Sequence, residues 1–359
     1  MKITVSVTND LVIDQRVHKV CVTLMQKGHD VKLVGRRFKT SPPLNRLYRF
    51  YRMRLLFNKS FLFYLEYNIR LFFYLLTDNA DMYLSNDTDT LLANFLASRI
   101  RRKRLAFDAH EMFPEVPEVI RRKFVKAVWT AIEDWIFPRL KRSYTVCQSI
   151  ADSYNRKYGM NMQVVRNIPF SQQANEMQMT PVDVKGKKVL LYQGAVNIGR
   201  GIERIIDAMP YLDEFVFYVI GDGDILEALK ERVSRLGLNN SVFFTGRVPF
   251  ERLSAYTACA DIGINLLENK GLNYYYSLPN RIFDYIRAGI PVLASDFPEI
   301  RRIVSNYGVG VLTDNYDPKF LSDTIRQMAA QKKNEAGFAA ANAELTWENE
   351  SKVLLDVLF

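Results

Sequence analysis

Cysteine and histidine are both scarce in this chain, three of each among 359 residues. Cys21, Cys147 and Cys259 are odd in number, widely spaced and set in apolar segments. That pattern excludes a disulfide framework and a cysteine–histidine metal cluster, and points to buried filler in a reducing compartment. Long apolar runs are lacking too. The most apolar window, Phe61–Leu76, carries Glu66, Asn68 and Arg70 and is too short for a spanning helix. Met1–Val7 alternates as a first strand does, rather than reading as a secretion leader. The expected location is cytoplasmic, with membrane contact confined to a surface. Acidic residues fall short of basic ones, 39 against 49, giving a formal charge of +10 and a pI near 9.3. The excess favours anionic partners: phosphates, nucleic acid or an acidic membrane.

A hydrophobic content of 48% excludes wholesale disorder, and 359 residues exceed one typical core, so two domains are expected. Strand and helix signals alternate from the start. Ile3–Thr8 reads as a strand, Gln15–Lys27 as a helix closed by Gly28, and Val31–Val34 as a strand. Such a βαβ unit implies a parallel sheet with a right-handed crossover. Strands follow at Met82–Leu84, Leu105–Phe107, Tyr144–Val146 and Val164–Asn167, with helices over Thr90–Arg101, Val125–Ile136 and Ile150–Tyr158. Residues 171–186 are polar and aperiodic and read as a linker between a domain of residues 1–170 and one of residues 187–345. The second domain repeats the rhythm. Its strands are Val189–Tyr192, Phe215–Ile220, Val242–Thr245, Ile262–Ile264 and Val292–Ala294, and its helices include Ile202–Met209, Ile225–Leu236 and Phe250–Ala258. The tail, residues 346–359, puts Trp347, Val353, Leu354 and Val357 on one face. It either caps the second domain or packs back on the first.

Two segments carry chemistry. Tyr276–Asp296 reads as loop, helix, then buried strand. Asn280 is a good N-cap, Ile282, Phe283, Tyr285 and Ile286 form the helix, Gly289 suits the C′ position, and Pro291 precedes the strand. The loop of Tyr276, Ser277, Leu278, Pro279 and Asn280 thus offers free amides at a helix N-terminus to an anion. Arg281 stands in the first turn, and Asp284 lies one turn on, placed to accept from a hydroxyl. A phosphate and a sugar hydroxyl within one turn describe a nucleotide or nucleotide-sugar. The second segment, Gln193–Ile202, follows a strand and opens a helix. Gly194 and Gly201 let backbone approach a phosphate, and Arg200 adds a bidentate cation. In open α/β sheets such loops gather at the carboxyl ends of the strands.

These segments resemble the donor-binding parts of retaining GT-B glycosyltransferases, specifically glycosyltransferase family 4. The resemblance implies an α/β GT-B fold, two Rossmann-like domains facing each other across a cleft. In that family two glutamates, eight positions apart, precede a small-residue-Gly-x-Pro-Val strand. Asp284 stands at the second position, which holds the ribose, and Tyr276 at the first, so one carboxylate is missing. Glu268 lies too far upstream to replace it without a rearranged loop. The family's Gly-Arg-x-x-x-x-Lys-Gly pattern is matched by Gly194, Arg200 and Gly201, with Arg200 in place of the lysine. Ala195 replaces the arginine, leaving Arg247 and Arg281 as candidates for the second diphosphate cation. The resemblance also puts a histidine near the reacting groups, at His110 in Phe107-Asp-Ala-His-Glu111, with Glu111 beside it for the acceptor. The loop after the first strand lacks the glycines common in the family. Asn9, Asp10 and Arg16 there are candidate acceptor or phosphate contacts, with Asp14 as an N-cap.

The implied reaction is hexosyl transfer, with retention, from a nucleotide-diphosphate sugar to a saccharide or lipid-linked glycan, as in bacterial cell-surface polysaccharide synthesis. His110 and Arg200 would be catalytic, with no cofactor, covalent nucleophile or essential metal; positioning and charge stabilisation would supply the rate. Asp87-Thr-Asp89 superficially matches a metal-binding Asp-x-Asp, but it precedes the Thr90 helix and reads as a cap. Between Arg36 and Lys59, basic residues interleave with Phe38, Tyr48, Phe50, Tyr51 and Phe57. The stretch suits an anionic membrane surface, or arginines that snorkel while their helices pack the sheet. No recognised module supports nucleic acid as a partner. Two alternatives stand against transfer: a basic membrane- or nucleic-acid-binding α/β protein without activity, and a nucleotide-sugar epimerase or hydrolase on the same fold. The latter class needs more carboxylates and histidines than these loops offer.

Overall fold

All the strands that pair run parallel to their neighbours, in two separate sheets. The structure, a computed structural model, describes residues 1–12, 14–170 and 186–359. It divides into one unit of Met1–Asn167 with Glu350–Phe359, and a second of Ile168–Asn349.

The first unit holds strands β1 (Lys2–Asp10), β2 (Asp30–Arg36), β3 (Arg49–Met53), β4 (Met82–Asn86), β5 (Arg104–Ala109), β6 (Ser143–Thr145) and β7 (Gln163–Val164), in the order β3-β2-β1-β4-β5-β6-β7. Its helices are α1 (Gln15–Gln26), α2 (Ser60–Thr77), α3 (Thr88–Arg101), α4 (Pro117–Ile120), α5 (Lys123–Ile136) and α6 (Gln148–Tyr158). The alternation in Met1–Val7 does not mark a wet face. Thr4 and Ser6 are as buried as Ile3, Val5 and Val7, because β1 is a central strand of a parallel sheet. The buried hydroxyls are satisfied: Thr4 donates to Asp78 at 2.5 Å, and Ser6 accepts from Asn94 at 2.7 Å.

Edge strand β3 lies inside the basic–aromatic stretch. Arg49 pairs with Asp30 and Arg52 with Asp10, at 2.6 and 2.9 Å. The Arg36 guanidinium lies 4.2 Å from the Phe38 ring and 4.3 Å from that of Phe63. These three cations serve the fold. Helix α2 buries Phe63, Tyr67, Leu71 and Leu75, yet leaves Phe61, Leu65, Ile69 and Phe73 exposed. Among the described residues no helix is long and apolar enough to cross a membrane.

The second unit holds β8 (Lys188–Gln193), β9 (Phe215–Ile220), β10 (Val242–Gly246), β11 (Ile262–Asn265), β12 (Val292–Ser295) and β13 (Gly310–Thr313), ordered β10-β9-β8-β11-β12-β13. Helices α7 (Ile202–Ala208), α8 (Leu226–Arg235), α9 (Phe250–Ala258), α10 (Leu272–Tyr275), α11 (Asn280–Arg287), α12 (Pro298–Tyr307), α13 (Pro318–Ala330) and α14 (Glu335–Glu344) connect or follow them. The elements from α12 to α14 extend the sheet beyond what the sequence announced. Each sheet reverses direction of build once, between β1 and β4 and between β8 and β11. Ligands of open α/β sheets bind at such reversals.

The expected linker, but for Gly186, lies outside the described residues. The last helix, α15 (Trp347–Leu358), buries Trp347, Glu350, Leu354 and Leu358, whereas Val353 is exposed. Its inner face is therefore rotated from the expected one. An ion pair of the buried Glu350 with the half-buried Arg166 is the reason: Glu350 accepts from the Arg166 backbone at 2.6 Å and meets the Arg166 guanidinium at 3.0 Å. Arg142 donates to the Leu358 carbonyl at 3.0 Å. Cys21 and Cys147 are buried as expected; Cys259 is only partly so.

Candidate functional site

In the second unit, the loop after β8 and the segment after β11 flank the reversal of the sheet. Gly194 has φ 130°, which favours glycine, and a Cβ there would stand 3.0 Å from Nη2 of Arg281. At Gly201, φ is 70° and a Cβ would fall 1.7 Å from the Leu266 carbonyl oxygen. The two glycines thus seat the loop against α11 and against the end of β11. Helix α11 begins at Asn280 itself, with Pro279 in the cap position and no side-chain cap bond, so the expected Asn280 cap is corrected. The proline ring, at φ −65°, fixes the entry that a capping side chain would otherwise set. The helix closes as expected at Gly289, φ 67°, where Ile290 N–H donates to the Tyr285 carbonyl at 2.9 Å.

Arg281 is only 7% exposed. Its guanidinium lies 4.2 Å from the Tyr192 ring centroid, and its buried Nη1 has no hydrogen-bond partner. No ion pair offsets its charge among the described residues. A buried guanidinium in that state is costly to the ligand-free fold, and cation–π attraction offsets only part of the cost. One turn on, Asp284 accepts from Gln193 Nε2 at 2.7 Å, and Thr257 Oγ1 donates to Gln193 Oε1 at 2.8 Å. The last residue of β8, oriented from α9, therefore fixes the carboxylate of α11. Tyr192, Gln193 and Thr257 were missed in the sequence. Only Gln193, an amide closing an apolar strand, gave any signal.

Arg200 is half-buried, 4.8 Å from the Tyr274 ring centroid, with no ion pair among the described residues. Arg247 is 80% exposed in its side chain and faces Asp222 at 3.5 Å, in the turn whose Gly221 would bring a Cβ to 1.8 Å from the Gly194 carbonyl oxygen. Glu268 is held by Arg204 at 3.0 Å and Lys270 at 2.8 Å. Burial raises its pKa, but those two cations hold it below the usual carboxylate range. Tyr276 follows α10 directly, its ring 5.5 Å from that of Tyr275, and Ser277 Oγ donates to the Tyr274 carbonyl at 2.8 Å. Leu278 and Pro279 complete the turn into α11.

In the first unit the strand ends β1, β4 and β5 bring a polar cluster together. Arg16 is buried and forks onto Asp108, Nε to Oδ2 at 2.9 Å and Nη2 to Oδ1 at 2.7 Å, while Nη1 donates to the Val165 carbonyl at 2.8 Å. Each nitrogen makes one bond, and Arg16 thereby braces Asp108. Asp10 is likewise occupied, by Arg52 and the Ser41 hydroxyl. Asn9 is exposed and donates to Asp14 at 3.0 Å; Asp14 caps α1 by accepting from Val17 N–H at 3.0 Å.

Asp87 stands at the start of α3 but does not cap it. Its backbone is left-handed, φ 59°, a strained state for a non-glycine residue. That conformation aims the carboxylate at His110: Oδ1 accepts from the His110 N–H at 2.7 Å, and Oδ2 lies 3.3 Å from Nδ1. The other ring nitrogen, Nε2, is 3.1 Å from Asp108 Oδ2. Burial would lower the His110 pKa, but Asp87 and Asp108 outweigh it and push it up to about 10. Asp89 accepts from Thr8 Oγ1 at 2.5 Å, and burial pushes it up to about 7. Glu111 follows, half-buried.

A pH experiment follows from this cluster. The chain has three histidines. Burial and then Arg46 push His18 down to about 4, and burial and the N-terminal ammonium lower His29. Histidine NMR should show one ring, His110, still protonated at pH 8. Because its folded pKa lies above the unfolded value, the stability it lends is complete below about pH 6.5 and fades as pH rises towards about 10. His110→Asn should flatten that decline.

Residues 176–344 match the family Glycosyl transferases group 1, and residues 13–169 match Glycosyltransferase Family 4. The chain belongs to the GT-B glycosyltransferases. Over 175 residues this glycosyltransferase is 28% identical to the alpha-monoglucosyldiacylglycerol synthase of Streptococcus pneumoniae, covering 46% of this chain and 37% of that protein. Over 142 residues it is 28% identical to the chitobiosyldiphosphodolichol beta-mannosyltransferase of Candida albicans, covering 37% and 30%. It thus spans about a third of the length of these curated relatives. The fold is shared with Anabaena HepE in complex with UDP-glucose, at TM-score 0.77, 16% identity, and coverage of 100% and 99% of the two chains.

Proposed function

We propose that this glycosyltransferase takes a nucleotide-diphosphate sugar in its second unit and transfers the sugar, with retention, to a saccharide or lipid-linked glycan. The observation that carries the donor reading is Arg281, a buried cation with an unpartnered Nη1 laid against Gly194. A diphosphate would give it the partner it lacks. Arg281 supplies the second cation in place of the arginine absent at Ala195, and Arg247, exposed and facing Asp222, is not needed for that role. Arg200, moored on Tyr274, stabilises charge as it grows on the leaving phosphate oxygen. Asp284, held by Gln193, accepts from the ribose. In the first unit, His110 and Glu111 orient an acceptor hydroxyl, with Asp87 and Asp108 holding the imidazolium in place. Two guanidiniums and the helix amides suffice for the diphosphate, so the proposed reaction needs no metal. A cytoplasmic, membrane-peripheral role in cell-surface polysaccharide synthesis fits the exposed apolar side of α2 and the basic charge.

Names among the relatives include both an alpha and a beta product, so the product anomer is worth reading directly. Incubation with uridine, guanosine, thymidine and adenosine diphosphate sugars, together with saccharide and glycolipid acceptors, should release nucleoside diphosphate only when an acceptor is present. Proton NMR of the product should show the donor's anomeric configuration kept. Sugar conversion or hydrolysis without an acceptor would instead favour an epimerase or hydrolase.

A further inference from the structure

Helix α5 carries an apolar stripe on its solvent side. Trp129, Glu133 and Ile136 face inward, while Phe124, Val128 and Trp135 are 81%, 42% and 44% exposed. Ala127 and Ala131, also exposed, complete the stripe at positions i, i+3, i+4, i+7 and i+11. Cations stand at both ends. Arg121, Arg122 and Lys123 are exposed before it, and Arg139 and Lys141 after it. The far end opens on a crevice where α3 finishes and β5 and β6 begin. Arg99, Lys103, Arg104, Arg139, Lys141 and Arg142 line it, and no carboxylate does. Among the described residues none of the six stands in an ion pair, although, after the Lys2 N–H, Lys103 helps to lower the pKa of the nearby Asp81. Arg99 lies 5.2 Å from the Phe95 ring centroid, Arg139 reaches the Trp135 carbonyl and Arg142 the Leu358 carbonyl.

Like charges around one crevice repel one another, and a phosphoryl group relieves that repulsion. The apolar stripe beside them selects among phosphoryl-bearing partners. A bilayer with anionic headgroups meets both parts: the stripe enters the glycerol and upper acyl layer while phosphates fill the crevice. Nucleic acid offers nothing to the stripe. A second copy packed α5 against α5 in antiparallel would set Arg121–Lys123 against Arg139 and Lys141, cation on cation. We infer that α5 is a membrane-docking helix lying in the headgroup layer, with anionic phospholipid phosphates seated in the basic crevice at its C-terminal end. This surface belongs to the first unit, shares no residue with the nucleotide site of the second, and does not depend on the donor reading.

Trp135 reports on the inference. The chain has three tryptophans, and Trp129 and Trp347 are buried, at 7% and 1% exposure. Vesicles of phosphatidylcholine with phosphatidylglycerol should shift the emission of the full-length chain to the blue and shield it from iodide, and Trp135→Phe should remove the shift. In vesicle sedimentation, each neutralised cation should cost about fivefold, so Arg139→Gln with Lys141→Gln should weaken partitioning roughly thirtyfold. Phe124→Ser should weaken it about tenfold. Nucleoside diphosphate affinity and circular dichroism should be unchanged in both variants. The inference is overturned by equal binding to phosphatidylcholine alone, or by loss in the charge variant without loss in Phe124→Ser. It is equally overturned if duplex RNA or free glycerol phosphate displaces the vesicles, or if ultracentrifugation shows α5 covered in a dimer that Phe124→Ser dissolves.

Discussion

Arg281→Met should weaken nucleoside diphosphate binding roughly 150-fold without weakening the ligand-free protein. Two opposed terms decide this. In the free state the guanidinium is buried, lacks an acid and leaves Nη1 unpartnered, so its desolvation is not recovered. Methionine keeps much of the length and packing against Tyr192 while removing that penalty, which makes the change neutral or stabilising by about 1–2 kcal/mol. In the bound state, loss of a hydrogen bond to a charged group costs about 3 kcal/mol, or roughly 150-fold in Kd. Calorimetry paired with thermal unfolding separates the two terms. A residue kept for packing behaves in the opposite way: its loss lowers Tm while binding survives. That outcome would remove Arg281 from the site.

The second large effect belongs to the first unit. Asp108→Ala should destabilise it by about 3–5 kcal/mol, because Arg16 would remain buried with its fork empty. His110 would lose one of its two carboxylates as well, so its pKa should fall from about 10 and its NMR titration should move towards neutrality. Adding Arg16→Met to Asp108→Ala should recover much of the loss, since the double variant buries no lone charge. Urea unfolding followed through Trp129 and Trp135 reads the first unit in which both lie. Equal and additive losses from the two single changes would show that the pair is not a unit.

Both sheets were legible in the sequence where hydrophobic period and caps agreed. Helix α9 and strand β9 fall at their expected bounds, and Gly28 and Gly289 close their helices. Strand β3 was hidden because its residues, Arg49 to Met53, sit within a run of charge and aromatic rings that also fits a surface. The elements from α12 to β13 are short, and a four-residue strand opening on Gly310 gives little period to read. The candidate site was legible where one segment holds it: Arg281 and Asp284 share a helix turn, and the Gly194 loop follows a strand. It was not legible where distant residues meet. Gln193 reaches Asp284 across 91 positions, and Asp87 reaches His110 across 23. Asp87 was read as a cap from its place before a helix, yet its left-handed backbone turns the carboxylate to His110 instead.

The most direct test is a crystal structure of the chain with a nucleoside diphosphate or its sugar. The diphosphate should contact Nη1 of Arg281 and the amides of the Gly194 loop, with Arg200 on the terminal phosphate and the ribose on Asp284. A nucleotide bound elsewhere, or Arg281 still without an anionic partner at saturating ligand, would contradict the account.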